Sequence, residues 1–164
     1  PLLWSDIEGG APGDGGLSSL LPPKMRAISI SVSAAASVSQ MVRPADHVDV
    51  LGTFSLPSKE QPGVTELVTM TILQDVLVLA TGQETANTYR GGNQSYALVT
   101  LQVTPHEAEV LTFAEQMRGR LTLSLRNPED LHYEKSLQQI NFNQIRSSLE
   151  TLNELRQKTL LRKK

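Results

Sequence analysis

The sequence predicts a mainly β, α+β fold, and three observations carry that expectation. Short segments alternate apolar and polar residues with a period of two, as at Ile28, Ile30 and Val32 and again at Val99, Leu101 and Val103. Clusters of Gly, Pro, Asn and Ser cut the chain into strand-sized pieces. In the middle of the chain only the stretch after Thr104 carries helix capping residues followed by an apolar row at helical spacing.

The elements follow in order. Residues 8 to 24 include Gly9, Gly10, Gly13, Gly15 and Gly16 with Pro12, Pro22 and Pro23, which predicts an irregular loop. Asp14 to Gly16 has the look of a phosphate cradle, but no strand precedes it and no Lys-Ser/Thr follows, so a plain loop is the better reading. Ile28, Ile30 and Val32 form a strand with one buried face, and Ser33 to Met41 join it to the next through small and polar residues. Pro44 presets a turn, Asp46 is suited to bonding local backbone, and Val48 and Val50 alternate with His47 and Asp49. A loop is expected over 53 to 65, then a half-buried strand at Val68, Met70 and Ile72. Asp75 interrupts it, and Val76 to Ala80 is apolar on both faces, as a central strand is. A third loop covers 82 to 95, and the exposed tip Tyr89-Arg90 within it is a candidate partner contact.

Thr104 is a good N-cap, Pro105 suits the first helical position and Glu107 completes a capping box, so a helix is expected from Pro105 to about Arg118. Ala108, Leu111, Ala114 and Met117 should line its buried face, widened by Val110 and Phe113, with Gly119 ending it. Leu121, Leu123 and Leu125 then read as inward and Thr122, Ser124 and Arg126 as outward. From about Asn143 to Lys164 a second helix is expected, roughly 30 Å long, with an apolar stripe at Ile145, Leu149, Leu152 and Leu155. Basic residues gather at its C-terminal end, where the helix dipole favours them. Docking of the stripe on its own domain and use of it for self-association or a partner are both open readings.

Composition excludes several function classes. The 164 residues carry a formal charge of −2, which argues against nucleic-acid binding, and there are no cysteines for disulfides, thiolate metal sites or thiol catalysis. No apolar run reaches the length of a membrane span. His47, His106 and His132 share no metal spacing, the carboxylates are dispersed, and no serine sits in a nucleophile context. No catalytic, cofactor or metal residues are therefore assigned. Aromatic content of 4% weakens any stacking platform for sugars or bases. The chain begins at Pro1 rather than an initiator Met, so a native N-terminus upstream is expected, and any signal peptide or anchor would lie there.

Six blocks in order resemble the CpaB/RcpC family of Flp (Tad) pilus assembly proteins, which carry a SAF (antifreeze-like) β-clip module. They are Pro1 to Ile7, Met25-Arg26-Ala27-Ile28-Ser29-Ile30, Val42 to Val50 (the family's V-R-P-G-D-x-V-D-V), Thr71 to Ala80, Val99 to Glu109, and Leu121 to Asp130 (L-x-L-x-L-R-x-P-x-D). Two residues depart from the pattern: Lys24 and Ala45 stand where the family has glycine, and alanine tolerates positive φ poorly. The resemblance runs from about Pro1 to Asp130 and implies residues 1 to 52 as the end of the SAF-like module and 53 to 130 as a β-rich domain. It lapses over 131 to 164, which the residues themselves predict as a helical extension. It also implies a non-enzymatic periplasmic protein, anchored at the inner membrane through a segment upstream of Pro1. The implied partners are the outer-membrane secretin and other pilus-assembly proteins, with a homo-oligomer as a further possibility and no nucleic acid. A SAF-type module binding carbohydrate such as peptidoglycan, or acting as a periplasmic chaperone, is the alternative.

Overall fold

A proline turn precedes each of the first three strands. In the computed structural model, which describes residues 16–32, 41–58, 61–82, 84–85 and 98–161, Pro23, Pro44 and Pro62 each sit second in a closed four-residue turn. The closing bonds run from Met25 N to Pro22 O and from Asp46 N to Arg43 O, both 3.1 Å, and from Val64 N to Gln61 O, 3.2 Å. The residue after proline has positive φ each time: 71° at Lys24, 77° at Ala45 and 82° at Gly63. Proline followed by positive φ is the pattern of a type II turn. The two family departures thus fall on backbone that favours glycine.

These turns and the alternating segments build one antiparallel sheet. Its strands are β1 (Arg26–Ser31), β2 (His47–Pro57), β3 (Thr65–Thr81), β4 (Glu84–Thr85), β5 (Leu98–Val103) and β6 (Arg120–Leu125), in the order β1-β5-β3-β2-β6, with β4 paired to the end of β3. Helix α1 (Pro105–Gln116) links β5 to β6, which lie toward opposite edges of the sheet, and helix α2 (Phe142–Leu161) ends the described chain. The core is a single cluster: Ile30 from β1, Val48 and Val50 from β2, Val99 and Leu101 from β5, Leu121 and Leu123 from β6, closed by Leu111 and Ala114 of α1. In-register hydroxyl pairs add cross-strand ties, Ser29 to Thr100 at 2.8 Å and Thr53 to Thr69 at 2.9 Å.

Several expectations hold. The helix after Thr104 forms with its capping box complete: Thr104 accepts from Glu107 N and Glu107 accepts from Thr104 N. The mainly β fold, the alternation in β1, and the turn bond from Arg43 N to the Asp46 carboxylate (2.7 Å) are present, whereas in β5 Thr100 is buried along with Val99, Leu101 and Val103.

Others need correction. The loop expected from residue 53 begins only after Pro57, because the alternation of β2 continues through Phe54 and proline is tolerated at a strand end. Asp75 does not end a strand. It is a bulge residue (φ 57°) inside β3, whose 17 residues run on past the register shifts. Leu125 is exposed while the Arg126 side chain is covered, the reverse of the alternation, because β6 stops at Leu125 and the chain swings away. On α1, Leu111 and Ala114 are buried, whereas Met117 and Phe113 face outward. Arg118, not Gly119, takes the left-handed conformation that ends α1 (φ 54°). Bonds from Gly119 N to Ala114 O and from Arg118 N to Glu115 O complete a Schellman motif. Gly119 is needed for space instead: a Cβ there would stand 2.2 Å from the Phe54 ring.

Some expectations fall beyond the described residues: Pro1 to Ile7, most of Ser33 to Met41, and the tip with Tyr89 and Arg90 lie outside them. Strand β2 crosses position 52, and β1 pairs with β5, so one sheet joins the first two expected parts.

Candidate interaction surfaces

Charged side chains gather where β2, the β3 bulge and the exit of β6 meet. The Arg126 side chain, only 7% exposed, donates from Nη1 to both oxygens of Asp49 at 2.9 and 3.3 Å. Its Nη2 donates to the carbonyls of Asp130 and His132 and lies 3.5 Å from the Asp130 carboxylate. The hydrogen bond to Asp49 leads the causes that raise its pKa above the usual arginine value, so the guanidinium stays charged. Asp49 also accepts from the Asp75 backbone N at 2.9 Å, which pins the bulge, and His47 Nδ1 lies 2.7 Å from the Asp75 carboxylate. The arrangement locks the 126–132 segment onto the sheet. Among the described residues no group of three or more His, Asp or Glu side chains could hold a metal ion. Asp49, Arg126 and Asp130 come from two separate matched blocks of the sequence, and their meeting gives those blocks a shared structural purpose.

The second feature is an open apolar groove of about 400 Å³ between α1 and the sheet. Phe54, Met70 and Ile72 line it from the sheet, and Val110, Phe113 and Met117 from the helix. Phe54 lies where it does because Gly52 and Gly119 leave room for its ring: a Cβ on either would come within 2.6 Å of it. Phe113 is 65% exposed, so the groove lacks an outer wall.

The third is α2. Ile140 makes an isolated bridge to Thr69 of β3, with both backbone bonds formed at 2.7 and 2.9 Å. Asn141 then caps the helix: its side chain accepts from Gln144 N while Gln144 accepts from Asn141 N. The Asn141 amide also donates to Glu66 at 3.2 Å. Beyond these ties no described side chain of α2 is buried, and Ile145, Leu149, Leu152 and Leu155 are 45 to 54% exposed. Those four predicted residues do lie together on one helix. Sequence pattern puts the groove residues of α1 in the core, and it gives no expectation of the charged lock. The one legible sign of that lock is an arginine directly after an alternating strand, in a block that also carries Asp130.

No helix among the described residues is long and apolar enough to cross a membrane. The chain is thus a single-sheet α+β protein whose described polar clusters hold structure and whose apolar surfaces stand open. Comparison with family descriptions matches residues 15–126 to "Flp pilus assembly protein RcpC/CpaB", and the chain belongs to that family. Comparisons with curated proteins and with solved structures find no match.

Proposed function

We propose that this protein is a non-enzymatic scaffold component of a Flp/Tad pilus machine, working in the periplasm together with the outer-membrane secretin. Membership of the pilus assembly family supports the setting. The observation that carries the scaffold reading is α2, a 20-residue helix held to the body at its first residues while its apolar stripe faces outward. Solvent-facing leucines in a regular row need a protein partner to cover them. The stripe at Ile145, Leu149, Leu152 and Leu155, with the Tyr89-Arg90 loop tip as a second contact, is the assembly surface in this reading. The charged cluster at Arg126 fits it as well, since a scaffold needs a rigid body and not a reactive centre. The SAF-like module over residues 1 to 52 and the upstream inner-membrane anchor are part of the same proposal.

The test is a pull-down from envelope extracts with the immobilised chain, run beside a sedimentation assay with purified peptidoglycan sacculi. Recovery of the secretin and no retention on sacculi is the expected result. Retention on sacculi without the secretin would replace the scaffold by a glycan-binding module.

A further inference from the structure

We propose that the groove between α1 and the sheet receives the apolar face of α2 from a second copy of this chain, two copies exchanging helices about a twofold axis. The inference rests on the reading of α2 as an assembly element and names what covers its stripe.

The two surfaces are complementary in form. Ile145, Leu149, Leu152 and Leu155 are spaced by four, three and three residues, the anchor pattern of a helix lying in a groove. The groove is apolar, and Met70, Met117 and Phe113 are side chains that adapt to an incoming helix. Both halves of this lock belong to one chain, yet they are not joined within it. No α2 side chain lines the groove, and the ties of Ile140 to Thr69 and of Asn141 to Glu66 hold the start of α2 at β3.

Charge supports the pairing and sets its direction. Helix α1 carries Glu107, Glu109 and Glu115 and no lysine or arginine, whereas α2 carries Arg146, Glu150 and Glu154 along its length, Arg156 and Lys158 near its end, and the sequence continues with Arg162, Lys163 and Lys164. Arg118 and Arg120 follow the other end of α1. A visiting α2 laid antiparallel to α1 puts its basic end beside Glu107 and Glu109 and away from Arg118, and it opposes the two helix dipoles favourably. A parallel pairing of α2 with α2 would instead bring the basic ends together and leave both grooves open. Reciprocal exchange buries both stripes and both grooves at once, and it closes as a dimer with no free copy of either surface.

The absence of cysteine allows a direct test. Phe113→Cys combined with Leu149→Cys or Leu152→Cys should give a disulfide-linked dimer on mild oxidation, while Leu152→Cys alone should not. Cross-linking by the single variant would make the contact helix to helix, and an intrachain disulfide would make the groove's occupant the chain's own α2; either overturns the proposal. Sedimentation equilibrium gives the second readout. Phe113→Glu and Leu152→Asp, both at exposed positions, should each raise the dimer Kd by about 100-fold. Mixing the two variants should restore a dimer, because one groove and one helix remain intact in the mixed pair. A mixture that stays monomeric would sink the exchange, and so would a dimer indifferent to Phe113→Glu.

Discussion

Ala45 and Lys24 hold backbone conformations that glycine adopts without steric conflict, and Gly63 shows the same turn built with glycine in the same chain. A side chain at such φ costs about 1–2 kcal/mol, partly offset because glycine loses more freedom on folding. Ala45→Gly should therefore raise unfolding stability by about 1 kcal/mol, read as a higher urea midpoint at unchanged m-value. Lys24→Gly should act in the same sense, and Gly63→Ala in the opposite one. The turn at Ala45 is legible in the sequence because a proline turn in a matched block lacks its glycine. Arg126 is not legible, since alternation extended one residue past the end of β6 puts it outside. Its contacts predict that Arg126→Leu, which strands the partly buried Asp49 carboxylate and two carbonyls, costs about 2–3 kcal/mol by chemical denaturation. Arg126→Lys should recover little, because an ammonium cannot reproduce the forked contact with Asp49 and the carbonyls of Asp130 and His132. A cation whose pKa is raised stabilises the fold below its ordinary pKa and loses that contribution only as pH rises through the raised value. The contribution of Arg126 should accordingly be flat through neutral pH. A stability difference between the wild type and the Arg126→Leu variant that fell between mildly acidic and mildly alkaline pH would contradict the assignment.

At the scale of elements, α1 shows why sequence periodicity reads only half of a buried face. A row spaced by threes turns back about 60° per step on a helix of 3.6 residues per turn. Ala108, Leu111 and Ala114 stay within one face, but Met117 has moved about half a circle from Ala108 and points outward. The capping box is legible because its signals are local, whereas the buried arc depends on where the sheet lies. Leu111 is fully buried in the core cluster, so Leu111→Asp should cost several kcal/mol and abolish the cooperative transition of a marginal domain. Met117→Asp, one face away, should lower the melting temperature of the monomeric chain by no more than about 2 °C. Gly119→Ala belongs with the first of these, since its Cβ would meet both the Phe54 ring and the Ala114 carbonyl, 2.8 Å away. Strand β3 reads as two pieces for a similar reason. Asp75 looks like a breaker in sequence, and the register shift against β2, with the bond from its backbone N to the Asp49 carboxylate, shows that it is a bulge within a continuous strand.

On the scale of the whole molecule, the body and α2 stand in different energetic positions. The body buries one contiguous core shared by β1, β2, β3, β5, β6 and α1, whereas α2 adds no buried side chain to it among the described residues. A 20-residue helix exposed on all sides is marginal by itself in water, so its order depends on what covers its stripe. The existence and start of this helix are legible from its periodicity; the partner of its stripe is not, because a sequence shows that a face is apolar and not what meets it. Removal of the chain after Asn143 keeps the Ile140 bridge to β3 and deletes all four stripe residues. The melting transition of the body, compared at concentrations where the full chain is monomeric, should then shift by no more than about 2 °C, because no core contact is lost. Mass by light scattering should fall to that of a monomer at concentrations where the full chain associates. Amide exchange should agree: α2 protection in the full chain should rise with protein concentration, while protection of Val99 to Val103 and of Val48 to Phe54 should not. If the truncated chain instead melts many degrees lower at unchanged mass, α2 is part of the chain's own core, and the assembly role assigned to its stripe fails with it.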